Sequence, residues 1–388
     1  MNVKPKPYMK YLVALLLIAT LTHCGSDNSD DVKVLARITI ASENGNKLDI
    51  LTAETTQLSV NGFDQDGGSI SITGTVTWSS NNDNVSVDQN GLVTALVVGS
   101  STITAEVETI ESTFKITVWD SSAPRTEIYV SDAGSPVGSA PFQILKYDEN
   151  GENPEVFIGE NLGWPQDILF LEDDGHVLIS NLNDNSIRRH DIKTGAFVNN
   201  FANGISGPTR IKIGPDNLLY ALQWTGNGKV RRYQLDGTFV DEFTSVGVTQ
   251  SIGLDWDSGG NLYVASFSGT SIRKFDTSGN DQGIFISSNL QGPTDIWFDG
   301  GDLWVNDWQS GTIKRFDSQG DFIGNVASGL SQNEGIDFLK NGDFLIGNGG
   351  TGAVKMYSST GSFKKDLVSS GSGGLQGPNA VRVRNVNQ

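Results

Sequence analysis

Apolar and polar residues alternate in short runs across residues 34–118. Stretches such as QLSVNGFDQDGGSISITGTVTWSS, VSVDQNGLVTAL and STITAEVETIESTFKITV change character every second residue and are broken by Gly, Asn and Asp. A period of two puts successive side chains on opposite faces of a strand, so these runs predict half-buried strands of a small antiparallel sandwich. Asn90-Gly91 separates two such runs and predicts a hairpin turn that needs positive φ. WDSSAPRT, residues 119–126, breaks the pattern as a short linker.

From residue 127 onward the pattern repeats. Aligned apolar runs contain Tyr129, Leu178, Leu219, Tyr263, Trp304 and Leu345, the last five spaced by 41, 44, 41 and 41 residues. Each unit has an inner strand (GPTRIKI, GPTDIWF), a glycine hairpin, a second strand (NLYVA, DLWVN), a polar loop, and a third strand (SIRRHD, SIRKFD, TIKRFD). A second glycine turn then leads to an outer strand. Four short strands per unit of this length predict the blades of a β-propeller. The first unit, opening at EIYVSD, lacks its inner strand, while the chain ends on an unpaired one, GPNAVRV (377–383). The last strand is therefore expected to complete the first of six blades and remove an open edge. That blade carries an insertion, AGSPVGSAP, between its second and third strands.

Two resemblances follow from these residues. TWSS, VSVDQNGLVTAL and GSSTITAEV resemble the group 2 bacterial immunoglobulin-like domain, which implies Trp78 as a core residue and a spacer or adhesive role. GPTDIWFDGGDLWVNDWQSGTIKRFDSQG and its copies resemble the NHL-repeat propellers and their gluconolactonase-like and streptogramin lyase-like relatives, a group holding both binding platforms and enzymes. The expected fold is all-β: an Ig-like sandwich (34–118) followed by a six-bladed propeller (127–388).

Composition agrees with a turn-rich β protein: 37% apolar residues, with 46 Gly, 18 Phe, 8 Tyr and 8 Trp. A formal charge of −18 repels phosphate backbones, so nucleic acid is not an expected partner. Residues 1–23 carry Lys4, Lys6 and Lys10 ahead of YLVALLLIATL, a run too short to span a bilayer and typical of an export signal. Cys24, the chain's single cysteine, follows at once, and LTHCGSDNSDD resembles the lipobox of bacterial lipoproteins, with His23 where a small residue is usual. The resemblance implies lipidation at Cys24, a polar tether (24–33), and anchoring to the outer membrane at the cell surface. A single cysteine also excludes an internal disulfide.

Candidate chemistry gathers where loops before the inner strands meet loops after the second strands, at one mouth of the propeller. There Trp164, Trp224, Phe267 and Trp308 offer flat apolar faces. Asp132, Asn181, Gln223, Asn306, Asp307 and Asn348 offer hydrogen bonds, with Arg210 and Asp295 at the channel. Aromatic planes beside amides and carboxylates suit sugar rings. Three readings are open: a non-catalytic platform for glycans, a metal-dependent hydrolase or lyase, and a protein–protein scaffold. The gluconolactonase-like resemblance implies Ca²⁺ or another divalent cation, and Glu334, Asn306, Asn348 and Asp307 are the oxygen-bearing types it would need. His176 and His190, read as a turn residue and a replacement for a core aromatic, give no expectation of histidine catalysis.

Overall fold

The computed structural model describes residues 32–42, 49–120, 124–135 and 138–386. Cys24 and the export segment lie outside the described residues.

Among the described residues eight β-sheets make up the fold, two in the N-terminal unit and six beyond it. The N-terminal unit packs Leu35–Ser42, Thr55–Asp64, Leu92–Ala95 and Val85–Val87 against Asp49–Leu51, Ile110–Trp119, Gly99–Val107 and Val76–Ser80. Alternation in the sequence is alternation in burial: Ser101, Ile103, Ala105 and Val107 are buried while their neighbours are not. Trp78 packs against Ile103, Ile116 and Val118 in the core. Gly91 has φ of 81°, and a Cβ there would stand 2.6 Å from the Leu58 carbonyl oxygen, so only glycine fits this turn. One pair departs from the expected antiparallel sandwich, since Asp49–Leu51 runs parallel to Thr117–Trp119.

The remaining chain forms six four-stranded blades. Their inner strands are Pro378–Val386 (blade 1), Pro165–Leu171 (2), Pro208–Ile213 (3), Ser251–Trp256 (4), Pro293–Asp299 (5) and Asn333–Phe338 (6). Each inner strand contacts the next, and that of blade 6 contacts that of blade 1, so the ring is closed. Closure is made by the C-terminal strand, which pairs antiparallel with Arg125–Asp132.

Second strands are buried from end to end, as in Leu219–Gln223, Leu262–Ser266 and Phe344–Asn348, because a neighbouring blade covers each face. This explains their unbroken apolar runs. Clusters such as Leu171, Leu178, Ile211, Leu219 and Tyr233 fill the space between adjacent blades. The recurrent Phe-Asp-x-x-Gly is a capped hairpin. Asp276 Oδ1 accepts the N–H groups of Ser278 and Asn280, Asp317 repeats this with Gln319 and Asp321, and Gly279 and Gly320 take positive φ. Inner strands converge so closely that a Cβ on Gly253 would lie 2.5 Å from the Thr294 carbonyl oxygen.

Candidate functional site

The mouth is built from one hydrogen bond repeated six times. The residue following each second strand donates its N–H to the carbonyl of the residue preceding the inner strand. The pairs are Ala133 to Gly377, Leu182 to Trp164, Trp224 to Gly207, Phe267 to Gln250, Trp308 to Gly292 and Gly349 to Gln332, at 2.7 to 3.2 Å. With the backbones fixed alike, the blades differ in what these positions carry.

Residues ending the second strands have a different task. Asp132 accepts N–H groups from Gly134, Gln376 and Gly377, Asn181 from Gly163, Gln223 from Ser206, Asp307 from Gln291 and Gly292, and Asn348 from Ser331. In blade 4, Ser266 donates instead to the Thr249 carbonyl. All six tie down the loop that leads into the inner strand, and all are buried. Asp307 also pairs with the Lys314 ammonium at 2.5 Å. Lys314 is therefore buried, although it stands in the basic pair of a third strand. Of the predicted hydrogen-bonding ring, Asp132, Asn181, Gln223, Asp307 and Asn348 thus spend side-chain atoms inside the fold. Buried polar groups require such partners, and here the partners are loop amides.

Three aromatics meet at the mouth. Trp224, Phe267 and Trp308 are half-buried, on consecutive blades 3, 4 and 5, with ring centroids 5.5 and 5.8 Å apart. Phe267 leans on the neighbouring blade, where a Cβ on Gly292 would come within 3.0 Å of it. At the same positions blades 6, 1 and 2 carry Gly349, Ala133 and Leu182. Trp164 does not join this arc. Its ring lies against Gly138 of the blade 1 insertion, and its Nε1 is buried with no hydrogen-bond partner.

Sequence reasoning missed Gln250 and Gln332. Both stand where blade 3 has glycine, at φ of 48° and 52°, and Trp164 shares the strain at 55° while Gly207 adopts 62° freely. A side chain held in this region costs roughly 1–3 kcal/mol. The signal was legible as a non-glycine residue where three copies read Gly-Pro.

Below the mouth lie the second and third residues of the inner strands. Thr209, Thr294 and Asn379 bond the carbonyls of Ser251, Asn333 and Pro165, linking each blade to its neighbour. Arg210 spans the channel from blade 3. Its Nη1 donates to the Gln166 carbonyl in blade 2, Nε lies 3.8 Å from Asp295 in blade 5, and Nη2 lies 3.5 Å from Glu334 in blade 6. Burial pushes the Glu334 carboxyl up to about 6 and raises that of Asp295, against the lowering pull of Arg210. Further along, Arg382 pairs with Asp167, and Lys212 with Asp255 at 2.6 Å.

The oxygen donors considered for a cation are not assembled into one site. Asn306 donates to the Glu334 carbonyl and accepts from Asn333, Asp307 and Asn348 serve separate loops, and Glu334 faces Arg210. Among the described residues no three His, Cys, Asp or Glu side chains are grouped as a metal site. His190 is buried with Nδ1 2.9 Å from the Gly195 carbonyl, its pKa lowered by burial, and His176 opens a strand rather than lying in the turn.

Residues 38–118 match the family described as bacterial Ig-like domain (group 2). No curated protein matches the chain. Among solved structures, a chain of the nidogen/laminin complex is similar, at 14% identity and TM-score 0.56, over 68% of this chain and 99% of that one. A protein of unknown function from Bacteroides caccae is also similar, at 14% identity and TM-score 0.53, over 67% and 98%. Likeness at this identity concerns the fold alone.

Proposed function

We propose that the propeller is a non-catalytic binding platform for glycans, with Trp224, Phe267 and Trp308 as its contact surface and the amides of Gln250 and Gln332 beside it. The carrying observation is the arc itself: three half-buried aromatics in ring contact on three consecutive blades, at positions where the others hold Gly, Ala and Leu. Pyranose rings present apolar C–H faces to such planes and hydroxyls to flanking amides. The strained backbone at Gln250 and Gln332 supports the same reading, since a side chain retained against that cost has a task glycine would not perform.

In this reading the export segment and a lipid on Cys24 hold the protein at the cell envelope, with the Ig-like unit as spacer. The test is calorimetry of the full chain against a panel of soluble polysaccharides. Trp308→Ala is expected to lose binding while Leu182→Ala keeps it. Absence of binding across the panel, or equal loss in both variants, would falsify the glycan platform.

A further inference from the structure

Around the arc the mouth loops are almost free of charge, in a chain that carries 45 Asp and Glu against 27 Lys and Arg. At the other end of the blades the hairpins are acidic: DENGE (148–152), EDDG (172–175), DTSGND (276–281) and DSQGD (317–321). The loops leading into the inner strands of blades 4, 5 and 6 read FTSVGVTQ (243–250), SSNLQG (287–292) and SGLSQ (328–332). Those after the second strands of the same blades read FSGT (267–270), WQSG (308–311) and GGTG (349–352). None of these six loops holds a charged residue. In blade 3 the loop after the second strand holds Lys229, which stands 3.7 Å from Glu242. Behind the loops, Asp307 is buried against Lys314, and Arg210 against Asp295 and Glu334.

The same loops offer amides instead. Among the described residues the side chains of Gln250, Gln291, Gln309 and Gln332 make no intramolecular hydrogen bond. Gln291 and Gln309 are exposed. A Cβ on Gly292 would lie 2.9 Å from Gln309 Cγ and 3.0 Å from the Phe267 ring, so this amide stands beside the middle aromatic of the arc. Gln291 directly precedes Gly292, whose carbonyl holds the Trp308 N–H. An amide donates through its nitrogen and accepts through its oxygen, so it serves a hydroxyl in either role.

We propose that the arc selects uncharged glycan chains, with Gln291 and Gln309 as further contact residues beside Phe267 and Trp308. The proposal rests on the platform reading and narrows its ligand. Charge decides the class. A uronate or sulfate group brought to these loops gives up water and meets no guanidinium or free ammonium, on a molecule whose formal charge is −18. An ammonium finds the carboxylate behind the loops, Asp307, already closed by Lys314 and by the N–H groups of Gln291 and Gly292. Hydroxyl groups need neither partner, since amides and Ser or Thr hydroxyls satisfy them while the aromatic rings cover C–H faces. The acidic hairpins at the far end add to the selection by repelling anionic polymers from the whole molecule. With no ion pair formed to the ligand, affinity is independent of salt.

The experiment is calorimetry of the full chain with a soluble β-glucan, a galactomannan, polygalacturonate and chitosan, each at about 50 and about 500 mM NaCl, where screening lengths differ roughly threefold. Binding of at least one neutral polymer is expected, equal at both salts, with neither charged polymer bound. The double variant Gln291→Ala/Gln309→Ala changes two exposed side chains and should weaken that binding about tenfold, with an unchanged unfolding midpoint. Preference for polygalacturonate, fading at high salt, would make the mouth an anion site and overturn the proposal. So would preference for chitosan, which would make the arc a cage for cations, or undiminished binding in the double variant, which would remove the amides from the contact. In those three outcomes, loss of binding in Trp308→Ala keeps the platform standing while its selectivity falls. If none of the four polymers binds, the platform falls and the selectivity with it.

Discussion

The two halves of the propeller mouth share a backbone and differ in side chains. In blades 3, 4 and 5 the residue after the second strand is Trp224, Phe267 or Trp308, and in blades 6, 1 and 2 it is Gly349, Ala133 or Leu182. Yet all six make the same N–H to carbonyl bond, and the residue just before each binds its own loop. One position is thus architecture in every blade, and the next is free to carry function in some. What is repeated holds the ring; what varies beside it carries the contact surface of the proposed platform.

The sharpest break in this division comes from the architectural position. Asp307→Ala leaves the Lys314 ammonium buried without its carboxylate and two loop N–H groups without an acceptor. Stability should fall by about 3–5 kcal/mol, read by urea unfolding. A loss near zero would mean that the repeated tie is not structural.

Arg210 joins the halves, and its partner Glu334 gives a pH signature. Its carboxyl titrates near 6 in the fold, above its ordinary value, so the folded state holds this proton more tightly than the unfolded chain. Stability from this group is therefore gained as pH falls from above 6 toward 4.5 and lost as it rises, by roughly 2 kcal/mol. Glu334→Gln should remove that slope in unfolding midpoints measured from pH 7.5 to 5, and an unchanged slope would count against a buried carboxylate at the joint.

On the functional side, Trp308→Ala should cost about tenfold in glycan affinity, or 1.4 kcal/mol, with Leu182→Ala neutral in the opposite half. The smallest effect is at Gln332. Replacing it by glycine relieves a left-handed backbone, so stability should rise by about 1 kcal/mol while affinity drops. A gain in stability without loss of affinity would return Gln332 to the architectural set.

Period and glycine placement made the blade count, strand order and closure legible, because each unit repeats one hydrophobic pattern and the missing strand at one end answers the spare strand at the other. The mouth was legible as a location. What its polar residues do was not, since Asp307 tying a loop and an Asp facing a ligand are the same letter. The telling signal was recurrence: Asp132, Asn181, Gln223, Ser266, Asp307 and Asn348 are polar in all six blades. A departure from the pseudo-symmetry of the ring shows instead as exception, as Arg210 does where other blades carry Asp, Gly or Ala. The contact of Trp164 with Gly138 of the insertion depended on a loop path that no periodic pattern encodes.

Closure by Pro378–Val386 has a consequence in time. Arg125–Asp132 is made before Pro378–Val386 and keeps one edge unpaired until that strand arrives, since among the described residues no other strand occupies its free side. Five blades can form while synthesis proceeds, but the inner-strand contacts of blade 1 with blades 2 and 6 wait for Pro378–Val386. The ring is thus a clasp that shuts only once Pro378–Val386 is in place. A copy lacking Pro378–Val386 stays open, with an unpaired strand edge on Arg125–Asp132.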